Sequence, residues 1–423
     1  MQKSISAQKT FYALFFLILV LIPFHGFLST WIGTLSGNLL LTKIWKEILL
    51  FLFCLLLVSL LARDEKLRKK LLKRRVNRAI ILYSLLHLGW WILWRPEADA
   101  AAAGIMLNLR FLIFFVLAQV LVHYYSRVKL QKTATKIIFI TSMIVVLFGA
   151  LQIFVLPNNF LSNFGYSSET IKPFYTIDEN QEFARINSTL RGPNPLGMYL
   201  ILPISMIIAF AFQKKDWRYL FILIPYLITL FGSHSRSAWL GTLVSALVLA
   251  LFYLNKGLLK KSLVGIFIVF VILLPFAIKS VGSSYYLQNI FLHTNPSESQ
   301  DEDSTQVHFR ALGDATKDVI KNPMGDGPGT AGPASAHNGE VTRYSENYYL
   351  QITQEVGIIG LTLFLIINWL VMLNLWQQKS QTWPRVLMAS FTGILVVNLF
   401  LHGWANEEIA LTWWGMAGLW YRL

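Results

Sequence analysis

The sequence predicts an all-α integral membrane protein with about twelve transmembrane helices, and three observations predict it. Of 423 residues, 55% are hydrophobic and 14% charged, whereas a soluble domain carries about 25% charged residues. The apolar residues fall in runs close to the ~20 residues that cross a bilayer core. The basic residues behind the net charge of +15 sit in short blocks between those runs. That is a topology pattern with some attraction to anionic lipid, and it argues against nucleic-acid binding. Cys54, the single cysteine, lies inside an apolar run, which excludes an internal disulfide framework and a cysteine-based zinc site.

The runs are, in order, 11–30, 44–62, 77–95, 104–125, 137–156, 195–212, 217–232, 238–255, 262–279, 356–376, 385–402 and 409–421. No A-x-A cleavage site follows the first, so it reads as a retained anchor. The last is short. Segment 63–78, between the second and third runs, holds nine basic residues and is placed on the cytoplasmic side. Alternate connections agree: 127–136, 214–218, 256–261, and Lys379 with Arg385. The remaining connections carry most of the acid, including Glu97, Asp99, Glu407 and Glu408. Twelve crossings put both termini in the cytoplasm.

The organisation that follows is five helices in 1–156, an outer loop at 157–194, four helices in 195–279, a large outer loop at 280–355 and three helices in 356–423. Loops of that length are uncommon without a function. In the larger one, Phe309, Leu312, Thr316, Val319 and Ile320 recur near helical spacing. This predicts a short amphipathic helix over 307–321, stopped by Asn322-Pro323 and a glycine-rich turn at 325–329.

The spans are poor in chemistry. No acidic residue lies near a predicted midplane, which counts against a proton or ion pump. There is no HExxH, EF-hand, Walker or GxSxG pattern, so no metal and no cofactor is expected. The outer edge differs. Arg185 and Arg191 lie in RINSTLRGPNPLG, Arg236 lies in the tight turn GSHSRSAWLG, Arg310 lies on the loop helix, and Arg110 falls in the outer third of the fourth run. The sixth, eighth and tenth runs start on the outer side. Pro195 suits a first helical turn, and Ser235 or Ser237 suits a cap. Helix starts favour anions, and arginine supplies paired donors that match phosphate oxygens. Together they predict a diphosphate site at the outer membrane–water boundary.

Each residue also has a plainer reading. Arg110 can snorkel, Arg310 can pair with Asp314 one turn on, and Arg185 and Arg191 can be loop surface charges. Arg236 is the sharpest candidate, because its turn is very short and lies between two apolar runs. For a general base, Glu346 sits close to the outer surface at the start of the tenth run, where it can equally be a capping carboxylate. Glu355, further in, can pair with a cation or face the cavity. His337 lies in a Gly/Ala/Pro-rich stretch able to fold over the site and is an alternative base.

RINSTLRGPNPLGMYL, SHSRSAWLG, HFRALGDATKDVIKNPMGDGPG and ENYYLQITQEVGIIGL occur here in that order. In this the chain resembles the O-antigen ligase/polymerase family over about residues 183–365; further upstream the motif-level likeness is limited to KIWKE at 43–47. The resemblance implies a GT-C-like fold in the bacterial cytoplasmic (inner) membrane. It also implies a metal-free glycosyltransferase whose donor is a glycan on polyprenyl (undecaprenyl) diphosphate and whose acceptor is a glycan, a lipid or a protein. Arg236 is similar to the arginine of the family's short SR-type turn and Arg310 to the one opening its large-loop helix. Arg185 and Arg191 fall before the NP-containing helix, and all four are implied to contact the diphosphate. The ligases of the family place a histidine where this chain has Glu346, which favours a polymerase-like subtype.

The expected reaction is inverting transfer. An acceptor hydroxyl attacks the anomeric carbon, Arg236 and Arg310 stabilise the departing diphosphate, and Glu346 takes or orients the proton. The rival expectation is a transporter or flippase of an anionic lipid-linked glycan. Such proteins usually carry internal repeats and a midplane site, and the sequence has neither signal.

Overall fold

The computed structural model describes residues 2–177, 180–216, 218–254, 257, 304–339 and 342–422. The ninth apolar run and segment 280–303 lie outside the described residues. The first run is a broken helix. α1 (Gln2–Leu21) and α2 (His25–Ser36) are joined by a 3-10 turn, Ile22–Phe24, where Pro23 lacks the N–H that would continue the α ladder. α3 (Leu39–Arg63), the amphipathic α4 (Glu65–Leu72), α5 (Arg75–Trp94), α6 (Ala98–Tyr124) and α7 (Arg127–Phe154) follow. The connection after α7 holds a small antiparallel hairpin, β1 (Tyr175–Ile177) and β2 (Asn180–Arg185), which the hydropathy pattern does not predict. Then come α8 (Pro193–Lys214), α9 (Arg218–Gly232) and α10 (Arg236–Tyr253), followed by α11 (Ser304–Lys321), α12 (Tyr348–Trp376), α13 (Thr382–Val397) and α14 (Glu407–Trp420).

Among the described residues, eight helical stretches are long and apolar enough to cross a membrane. The protein is an all-α polytopic membrane protein. Three expected runs are shorter helices: α9, α13 and the 14-residue α14. At 1.5 Å per residue α14 reaches about 21 Å, short of a ~30 Å core. Every residue of α14 is buried, with Trp413 and Trp414 fully enclosed. A helix apolar on all sides belongs inside a bundle, and α14 packs most closely against α6. The twelfth expected run is therefore a central helix rather than a lipid-facing one.

α11 starts three residues before the expected 307 and stops where predicted, with the Asn322 N–H donating to the Asp318 carbonyl at 2.8 Å. Of its apolar stripe, Phe309 and Ile320 are exposed. The chain after α11 docks into a kink of α12. Val356 and Gly357 leave helical geometry there, Gly357 at φ 71°, and the loop takes up backbone groups that the kink frees. The Ile358 N–H donates to the Pro323 carbonyl at 2.9 Å, and the Asp326 and Gly327 N–H groups donate to the Gln354 and Glu355 carbonyls at 2.8 and 2.9 Å.

Glu355, wholly buried, completes the dock. Its carboxylate accepts from Asn108 Nδ2 at 2.5 Å and from the Gly329 N–H at 2.9 Å. Gly329 has φ 83°, and a Cβ there would run into the Ala100 backbone, so only glycine lets the loop lie on α6. Glu355 was expected to meet a cation or the cavity; the partners it has are amides, and its role is to hold the loop.

Candidate functional site

A cavity of about 560 Å³ opens where the first turns of α3 and α8, the first half of α6, the 398–406 connection and the 333–337 turn converge. The basic segment 63–78 lies at the far end of α3. Lys43, Lys46 and Glu47 reach the cavity from one face of α3, at spacing i, i+3, i+4. Arg110 enters from α6, Arg191 and Asn194 from the start of α8, His337 from the 3-10 turn Gly332–His337, and His402 and Glu407 from the approach to α14.

Arg110 does not snorkel. It is 3% exposed; Nη2 donates to Glu407 Oε2 at 2.7 Å and to the Ala405 carbonyl, and Nη1 lies 3.4 Å from Glu47. Arg191 is looser: its side chain is 43% exposed and Nη2 sits 3.5 Å from Glu407. The Glu407 charge holds the Arg191 guanidinium still more firmly protonated than usual. Its backbone is tied to the hairpin through Tyr175, whose hydroxyl donates to the Arg191 carbonyl at 3.3 Å.

Arg185, at the end of β2, links the cavity edge to the next turn. Nη2 donates to Asn194 Oδ1 at 2.7 Å and Nε to the Ser233 carbonyl at 3.1 Å. Arg236, half-buried, is the first residue of α10 and is not among the residues lining the cavity. Its turn packs on α8, with Ser233, Ser235 and Ala238 close against Gly197. Ser235 occupies the N-cap, but its hydroxyl makes no capping bond. His234 in the same turn has φ 46°, and burial, aided by the Arg185 charge, pushes its pKa down to about 4. It is uncharged at neutral pH.

Arg310 is exposed on α11, also outside the cavity lining. Asp314, its expected partner, pairs with Lys317 at 3.0 Å. Two residues before Arg310, His308 Nδ1 lies 3.6 Å from Glu346 Oε2. Glu346 is not the helix cap. Asn347 fills that role, its Oδ1 accepting from the Tyr349 and Leu350 N–H groups at 2.9 and 3.0 Å. Glu346 stands just outside the helix at φ 50°. Burial raises its pKa, with the nearby His308 pulling the other way, which makes it a stronger base than an ordinary carboxylate. The preceding Ser345 touches cavity-lining His402, Oγ to Nε2 3.2 Å.

Four residues at the centre of the site escaped the sequence reading: Lys43, Lys46, Glu407 and His402. The KIWKE spacing, just inside the start of an apolar run, was a usable signal for the lysines. By sequence, Glu407 and Glu408 stand out only as topology-marking acid. The cavity presents four basic side chains, Lys43, Lys46, Arg110 and Arg191, to two acidic ones, Glu47 and Glu407. Such an excess in a partly desolvated pocket attracts a multivalent anion, and the arginines offer it paired donors. Among the described residues, no group of three or more His, Cys, Asp or Glu is placed to hold a metal.

Comparison with known proteins bears on this arrangement. Residues 219–365 match the family model described as O-antigen ligase. A Rickettsia felis protein named "Putative polysaccharide ligase" is 26% identical over 219 residues, covering 49% of this chain and 50% of the relative. A Rickettsia typhi protein of the same description is 25% identical over 212 residues, 48% of this chain and 49% of the relative. The chain spans about half the length of the curated relatives it matches. Three of the four motif segments, SHSRSAWLG, HFRALGDATKDVIKNPMGDGPG and ENYYLQITQEVGIIGL, lie within the matched residues.

Proposed function

From that family match and the cavity beside it, we propose that this protein is a glycosyltransferase of the ligase/polymerase type. It moves a glycan from a polyprenyl-diphosphate carrier to an acceptor hydroxyl at the outer face of a bacterial cytoplasmic membrane. The observation that carries the proposal is the cation-rich cavity at the end of the bundle opposite the basic 63–78 segment. Lys46, Arg110 and Arg191 bind the diphosphate. Arg185 contributes from the end of β2, Arg236 from the turn packed on α8 and Arg310 from the helix whose His308 reaches Glu346. The acceptor oxygen attacks the anomeric carbon and inverts it; the bond to the diphosphate oxygen breaks with its electron pair, and the cations stabilise that charge. The hydroxyl proton passes to Glu346, or to His337 as the alternative base.

Membranes carrying the protein are supplied with lipid-linked glycan, and glycan mass and released polyprenyl diphosphate are measured. Arg191→Ala and Arg236→Ala are each expected to reduce product at least tenfold. Full product from both at normal expression overturns the proposal, and translocation without a change in glycan mass assigns a flippase instead. Glu346, standing where the family's ligases carry histidine, favours a polymerase-like subtype. In that case cells lacking the protein keep single glycan units and lose chain length; intact polymer stranded on the carrier means a ligase.

A further inference from the structure

Glu407 is an unusual carboxylate for a binding pocket built for anions. It is 2% exposed and meets four nitrogen-bearing side chains. Oε1 lies 3.1 Å from His25 Nε2 and 3.6 Å from Lys46 Nζ, and Oε2 lies 2.7 Å from Arg110 and 3.5 Å from Arg191. His25 ties these groups together: its Nδ1 accepts from the Trp45 indole N–H at 3.0 Å, and its Nε2 lies 3.1 Å from both Glu407 Oε1 and Lys46 Nζ. The partners are held to different degrees. Arg110 also donates to the Ala405 carbonyl, and Lys46 donates to the Lys43 carbonyl at 2.8 Å; both are nearly inaccessible. Arg191 is the partner with a substantially exposed side chain.

An empty cavity lined by three close cations would be strained by their mutual repulsion, and a permanent carboxylate relieves it. Once a diphosphate enters, the same carboxylate repels it. We propose that Glu407 is a resident counter-anion: it positions Arg110, Lys46 and Arg191 in the empty site, yields Arg191 to the incoming diphosphate, and limits how tightly the carrier diphosphate is retained after transfer. This inference rests on the function proposed above. It makes Glu407 a positioning residue with an effect on release opposite to that expected of a purely structural ion pair. A structural pair, once broken, loosens the site and weakens binding. A counter-anion, once neutralised, leaves the cations to the ligand, and a unit charge a few ångströms from the phosphates is worth roughly tenfold or more in affinity.

The test uses the full chain in lipid nanodiscs with farnesyl diphosphate and inorganic pyrophosphate as probes, alongside turnover of lipid-linked glycan. Glu407→Gln is expected to bind both probes at least tenfold more tightly and to release them more slowly, with kcat and KM falling together. Glu407→Asp restores the charge and returns affinity toward the wild-type value. Should Glu407→Gln fail to fold, Arg191→Gln serves: it is expected to fold and to lose at least tenfold in probe affinity, and unchanged affinity overturns the inference. Equal or weaker probe binding by folded Glu407→Gln, in a wild type that binds, overturns the counter-anion role and leaves the glycosyltransferase reading intact. A wild type that binds neither probe overturns both.

Discussion

Glu355→Ala tests how the large loop is held to the bundle. The substitution removes the acceptor of two buried donors, Asn108 Nδ2 at 2.5 Å and the Gly329 N–H at 2.9 Å. Leaving a buried donor unsatisfied costs about 1–3 kcal/mol, so the dock weakens by roughly 2–6 kcal/mol. The three backbone hydrogen bonds around the α12 kink remain, so the bundle is expected to stay folded while the loop opens more often. At about 1.4 kcal/mol per tenfold, even the lower figure lowers amide protection of 322–339 by about 30-fold. Hydrogen–deuterium exchange of the detergent-solubilised protein measures this, with peptides of α14 as an internal control. Turnover falls with it, because Pro333, Ala334 and His337 of the same loop line the cavity. Glu355→Gln keeps one acceptor oxygen and is expected to lie between. Unchanged exchange over 322–339 in Glu355→Ala would refute the idea that this carboxylate seats the loop.

Three further outcomes are expected. Arg110→Ala strands Glu407 without its shortest ion pair; breaking a buried pair costs about 3–5 kcal/mol, so the variant should unfold at a clearly lower temperature, and Arg110→Lys, keeping charge but not paired donors, should fall between. Lys46→Met removes one of the cavity's four cations and should raise KM for the lipid-linked donor about tenfold with a smaller change in kcat, at ~1.4 kcal/mol per tenfold, as read from initial rates at varied donor concentration. Glu346 works as a base only when ionised, and burial raises its pKa. Turnover should therefore be full above that raised value and fall as pH drops through it, at a pH above that of an unperturbed carboxylate; Glu346→Gln should remove this acid limb and lose about 100-fold or more in rate.

Much of the fold was legible from hydropathy. Runs of apolar residues with nowhere to go in water become helices that satisfy their own backbone groups, and basic blocks mark the connections. The α11 helix and its stop at Asn322-Pro323 were equally readable, because periodicity and proline act locally. Which helices face lipid was not readable. α14 is as apolar as its neighbours but shorter, and its burial depends on α6, α8 and α13 closing around it. The Tyr175–Arg185 hairpin was missed because two strands that short carry almost no periodic signal.

For the site, residue type alone was enough to pick out arginines near outer helix starts, since a guanidinium at a membrane boundary is expensive without an anion. Composition cannot say which of them share a space. The convergence of Lys46, Arg110, Arg191 and Glu407, from segments as far apart as residues 46 and 407, follows from how α3, α6, α8 and the approach to α14 pack. Glu407 looked like one more acidic loop residue until packing surrounded it with cations. Glu355 reads by sequence as a carboxylate for a cation or for the cavity, and only the α12 kink brings a loop N–H to it. Local chemistry was written in the chain; partnership between distant residues arises only when the helices meet, because burial and electrostatic pairing are properties of the neighbours a side chain is given.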